Sequence, residues 1–134
     1  MSSKKEFLTE LVRDNDLNKE EDIFRMPIGG KQVAIITRTG IEMIQYNNGI
    51  DVQFTTEVVE RDFVVIKATA KKGDVVIETF GSALHGQSGN CRSNYVPEMA
   101  EKRSLARVVL KWCGGYKYGM YSEDESDDFK VKGV

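Results

Sequence analysis

From Ile50 the apolar and polar residues alternate, with Ile50, Val52, Phe54, Thr56 and Val58 on one side and Asp51, Gln53, Thr55 and Glu57 on the other. A period of two marks a strand with one face turned to a core, and this run restricts the fold more than any other stretch of the chain. A second strand is expected over residues 63–70 and a third over 75–80, joined by the hairpin turn Lys71-Lys72-Gly73-Asp74. Three strands joined by short turns make an antiparallel meander.

Helical signals flank it. Phe7, Leu8, Leu11 and Val12 form one apolar edge of a helix that Ser3 is placed to cap and that ends near Asn15 or Asp16. Pro27-Ile28-Gly29-Gly30 reads as a turn, followed by a short strand over 33–37. Thr39-Gly40-Ile41-Glu42 fits a Thr-x-x-Glu capping box, so a helix is expected over 40–47, leaving through Asn48-Gly49. Residues 81–94 are rich in Gly, Ser and Asn without periodicity and read as a loop. Pro97 then opens a last helix that runs to Cys113 and stops at Gly114-Gly115. On that helix Met99, Ala106, Leu110 and Cys113, flanked by Val109, form a core stripe. Arg103, Arg107 and Lys111, at i, i+4 and i+8, form a basic stripe beside it.

With 134 residues, 40% hydrophobic and 30% charged, the chain has the size and composition of one soluble domain. The expected class is α+β, a three-stranded antiparallel meander packed with helices. Its expected division is an N-terminal helix and linker over 1–30, a single domain over 31–118 and an acidic, unfolded tail over 119–134. No apolar run approaches a bilayer span, and residues 1–10 carry no apolar stretch suited to a secretory signal, which places the chain in the cytoplasm. There Cys91 and Cys113 are expected as reduced thiols.

The net charge of −2 hides an asymmetry. Lys and Arg outnumber Asp and Glu by 6 to 2 over residues 85–118, whereas the tail over 119–134 has 2 against 5. Such a split points to a polyanion-binding surface with an acidic appendage, although a solvated helix face has the same composition. Catalytic inventories come up short. His85, the single histidine, has no metal-ligand spacing to Cys91 or Cys113. Gly29-Gly30-Lys31 lacks the upstream glycine and the following Ser or Thr of a phosphate loop. Glu57, Glu60, Asp62 and Glu78 read as solvated carboxylates. The expectation is a binding protein, not an enzyme, with no cofactor.

Its best candidate surface is the basic stripe, since residues four apart on a helix rise about 6 Å and can follow a phosphate backbone. Lys71 and Lys72 at the hairpin tip, Arg92 in the loop and Lys102 on the helix extend the track. Tyr95, Trp112, Tyr116, Tyr118 and Tyr121 lie around it as stacking rings for bases, with Trp112 better read as core.

Three segments carry a resemblance. Residues 96–111, Val-Pro-Glu-Met-Ala-Glu-Lys-Arg-Ser-Leu-Ala-Arg-Val-Val-Leu-Lys, are similar to the basic terminal helix of the Rad-fifty-two-like single-strand annealing proteins, a group that includes phage recombination functions. Residues 35–44 resemble the strand and helix that precede the sheet in that group, and Lys67-Ala68-Thr69-Ala70 with Thr79-Phe80-Gly81-Ser82-Ala83 resembles its central hairpin. The likeness covers roughly residues 31–118. It implies a double-stranded-RNA-binding-like βββα core, single-stranded DNA bound in a basic groove, annealing without ATP in recombination and repair, and homo-oligomers. Carried over residue by residue, it makes Lys102, Arg103, Arg107 and Lys111 backbone contacts, followed by Lys71 and Lys72. The aromatic residue that many members place near Gly49 to Asp51 is absent. The acidic stretch 122–129 is loosely similar to the tails by which single-strand-binding proteins recruit partners. A protein-interaction module using its sheet face or this tail, without affinity for nucleic acid, is the alternative.

Overall fold

A computed structural model of the protein describes residues 4–86 and 89–125. The elements run α1 (Lys4–Asp14), β1 (Ile23–Ile28), β2 (Lys31–Ile36), α2 (Arg38–Asn47), β3 (Asp51–Val59), β4 (Phe63–Lys72), β5 (Val75–Leu84), α3 (Val96–Cys113), a 3-10 turn (Gly115–Tyr118) and β6 (Tyr121–Ser122). The fold is α+β. Its larger sheet is the expected antiparallel meander β3-β4-β5, and a smaller one has the order β1-β2-β6.

In the meander, β4 alternates between residues packed under α3 and residues on the opposite face. Val64, Ile66, Ala68 and Ala70 are buried. α3 lies across β4 and β5, and Gly81 lets the two approach: a Cβ there would fall on the Ala100 carbonyl oxygen and the Ser104 amide nitrogen. Thr79 Oγ1 donates to the Ser104 carbonyl at 2.9 Å beside this contact. Ile36, Ile44, Val108, Val109 and Leu110 close the core between α3, β2 and α2, and Trp112 packs half-buried against it.

Several local expectations are displaced. Lys71 and Lys72 pair with Val76 and Val75, so the hairpin turn is only Gly73-Asp74, entered with Gly73 at φ 60°. β5 extends through Leu84, which shortens the expected loop, and the Asn90 side chain ties the remainder by accepting from Leu84 N at 2.8 Å. Phe54 and Thr56, expected inward, are exposed because β3 is an edge strand beyond the cover of α3; a register shift between Thr56 and Val58 then changes its phase. Pro27 and Ile28 belong to β1, opposite Gln32 and Lys31, and not to a turn. Proline fits because β1 is the sheet edge. α2 is capped by Thr37, whose Oγ1 accepts from Gly40 N at 3.2 Å, two residues before the expected Thr39. The Ser3 cap lies outside the described residues.

The division at 118 also shifts. Tyr121–Ser122 pairs in parallel with Ile35–Ile36, and residues 123–125 form a helical turn, so the first part of the expected unfolded tail is built into the domain. The rest, 126–134, lies outside the described residues. Among those described, no helix is long and apolar enough to cross a membrane.

Candidate nucleic-acid interface

The loop after β5 and the first two turns of α3 enclose a cleft of about 820 Å³. Pro97 starts α3 without needing an amide donor, and the helix then carries Met99, Lys102 and Arg103 into the cleft wall. Arg92 and Lys102 are exposed at the rim, and Tyr95 presents a ring that is 67% exposed. Arg38 enters from the start of α2. Glu98 is the sole carboxylate among the described lining residues.

Arg103 is the unusual member. It was expected on a solvent-facing stripe, but it is only 2% exposed. Its Nη1 donates to the Ser82 carbonyl at 2.8 Å and its Nη2 to the Asn90 carbonyl at 2.5 Å. Nε is buried and meets no acceptor among the described residues. Neither partner is a carboxylate, so a permanently charged guanidinium sits in the wall without an ion pair among the described residues. Arg103 is therefore a structural strut and a source of positive potential, not an open phosphate contact. Helical spacing alone put it on the stripe; the loop folding over it removed it from solvent.

Arg107 is also engaged. Its Nη1 donates to the Phe80 carbonyl at 2.8 Å, and its Nε lies 3.7 Å from Glu125. Lys111 remains exposed toward the far end of α3. Lys71 and Lys72 are exposed near that end, with Lys72 Nζ 5.1 Å from the Trp112 ring centre. The predicted residues thus form two groups, Arg92 with Lys102 at one end of α3 and Lys71, Lys72 and Lys111 at the other.

The rings are mostly occupied. Tyr118 stacks on Phe7 at 4.2 Å, and Tyr116 meets Tyr121 edge-on at 6.0 Å. Of the five expected stacking residues, only Tyr95 is largely open.

Acidic residues expected in a loose tail instead brace this region. Arg38 Nε donates to Asp124 Oδ1 at 2.6 Å, while Arg38 N donates to Glu123 Oε1 at 3.1 Å. Glu125 accepts from the Tyr116 hydroxyl at 2.7 Å and from Ser122 Oγ at 3.1 Å. Burial pushes the Asp124 carboxyl above the usual carboxylate range, with the Arg38 bond opposing it. Burial also raises the Tyr116 phenol, helped by Glu125, and the half-buried Cys113 thiol. Arg38 and Asp124 had no local sequence signal, being paired across the whole length of the domain. No family model matches the chain, and no curated protein or solved structure matches it.

Proposed function

We propose that this chain is a non-enzymatic domain of the cytoplasm that binds single-stranded DNA and anneals complementary strands, in the manner of the phage Rad-fifty-two-like recombination and repair proteins it resembles. One observation carries the reading: a buried guanidinium held only by backbone carbonyls among the described residues, in the wall of a cleft whose rim offers Arg92, Lys102 and the open ring of Tyr95. Positive charge on low-dielectric walls focuses potential into a concave site, and an exposed ring beside it can take a base. From Lys102 to Lys111 the helix rises about 14 Å, so a strand leaving the cleft along α3 meets a second group of lysines. The order β3-β4-β5-α3 supports reading the core as a double-stranded-RNA-binding-like βββα unit, and such units assembled as homo-oligomers would align several strands.

Fluorescence anisotropy of a labelled single strand, titrated at several salt concentrations beside a duplex, tests this. Each phosphate engaged adds about −0.7 to the log-log salt slope. Arg92→Ala with Lys102→Ala should weaken binding at least about tenfold and flatten the slope by about 1.4. Unchanged binding by this pair, or no binding by the wild type at low salt, overturns the assignment.

A second reading has its own observation. Val76 and Phe80, 56% and 53% exposed, lie with Leu84 on the face of the meander away from α3. These exposed apolar side chains, set beside the Lys67–Glu78 ion pair on the same face, favour a protein-interaction module without nucleic-acid affinity. Phe80→Ser would then abolish association while leaving the cleft intact.

A further inference from the structure

A second basic site is formed by the smaller sheet. A groove of about 420 Å³ between α1 and β2 is rimmed by Lys4 and Lys5 on α1, Lys19 in the following connection, Arg25 on β1 and Lys31 on β2. Among the described residues no carboxylate lines it, and none of the five cations forms an ion pair. All five side chains are exposed. In a chain with 21 acidic residues against 19 basic ones, five cations around one concavity, with no ion pair among the described residues, are a local inversion of charge.

The floor is aliphatic, formed by Leu8, Val12, Val33 and Met120. The one ring among the described lining residues, Tyr118, is stacked on Phe7 and has Lys117 Nζ 5.7 Å from its centre. A nucleic-acid base would find no open ring to stack on, whereas an aliphatic or aromatic side chain would find a matching surface. The length fits the same occupant. α1 has 11 residues and spans about 16 Å, the reach of about five residues of extended chain.

We propose that this groove docks an acidic peptide segment of a partner protein, its carboxylates on the lysine and arginine rim and one apolar side chain on the floor. The site is separate from the cleft beside α3 and does not rest on the nucleic-acid reading. Full-length protein titrated into a fluorescein-labelled peptide of aspartate and glutamate carrying two leucines provides the test. Binding is expected at low salt and should weaken at least about tenfold in Arg25→Glu with Lys31→Glu. Serine in place of the leucines should weaken it by a similar factor, since a buried leucine contributes at least that much. Lys102→Glu, in the other cleft, should leave it unchanged. All these replacements are of exposed residues, and an unaltered melting temperature verifies the fold. The proposal is overturned if the peptide does not bind, if the charge reversals leave its affinity intact, or if the leucine-free peptide binds as tightly. It is equally overturned if a single-stranded oligonucleotide displaces the peptide and itself loses affinity in Arg25→Glu with Lys31→Glu, which would make the groove a nucleic-acid surface.

Discussion

Replacing Gly81 by alanine tests how closely α3 is held to the meander. The added methyl would lie well inside van der Waals contact of the Ala100 carbonyl oxygen and the Ser104 amide nitrogen, and 3.0 Å from the Arg103 carbonyl carbon. All three are backbone atoms in the interior of a helix of 18 residues, so no side chain can swing aside. The helix or the strand must move. Overpacking of this kind costs about 1–3 kcal/mol, from which alanine recovers part of the roughly 0.5–1 kcal/mol that glycine costs in a strand. A net loss of about 2 kcal/mol is expected. At about 2.1 cal/mol/K per residue, the 134 residues give an unfolding entropy of about 280 cal/mol/K, so Tm should fall by about 7 °C. Scanning calorimetry or thermal circular dichroism reads this directly. Because Arg103 and Ser104 sit at the contact, the same variant should loosen the Arg103 bonds to Ser82 and Asn90 and weaken whatever the cleft binds. A Tm within about 1 °C of wild type would refute the close approach and the placement of α3 that follows from it.

Two further perturbations have calculable directions. Arg103→Ala strips donors from the Ser82 and Asn90 carbonyls and leaves a hole in the wall, which should cost about 2–4 kcal/mol in urea unfolding; Lys102→Ala should stay within about 0.5 kcal/mol, and equal effects would contradict the burial difference. For Asp124, a carboxyl raised by burial binds its proton more tightly in the folded chain than in the unfolded one. Its stabilising contribution is complete below the ordinary carboxylate pKa of about 4 and is lost as pH rises through the folded value. Asp124→Asn should therefore gain stability relative to wild type as pH rises above about 4, and a difference independent of pH would exclude Asp124 as the titrating group.

Much of the fold was legible because its signals are local. The three strands of the meander in order, the hairpin turn that reaches Gly73-Asp74, Pro97 at the start of α3 and Gly114 in the left-handed conformation at its end, φ 84°, each depend on neighbours within a few residues, whereas the inward phase expected of Phe54 and Thr56 did not hold. β1 and β6 were not legible. A strand holding Pro27 reads as a turn until it is known to be an edge, and a two-residue strand leading into Glu123-Asp124-Glu125 reads as tail until β2 is seen beside it.

The candidate site divides in the same way. Spacing in the sequence determined that Arg103, Arg107 and Lys111 share one side of α3 and that positive charge gathers in the segment 85–118. It could not determine how far that side is turned toward the sheet, because helical periodicity sets relative angles and tertiary packing sets the absolute one. The structure turned Arg103 inward to two backbone carbonyls, bound Arg107 to Phe80 and Glu125, and left Lys102, one position from Arg103, in solvent. It also brought Arg38 and Asp124, 86 residues apart, to 2.6 Å, and gathered Lys4, Lys5, Lys19, Arg25 and Lys31 around one groove. The order of the meander strands and the two ends of α3 rest on short stretches, and the chain by itself determined them; the cap of α2, the phase of β3, and which charges are buried, paired or open to a partner depend on long-range contacts, and only the packed structure decided them.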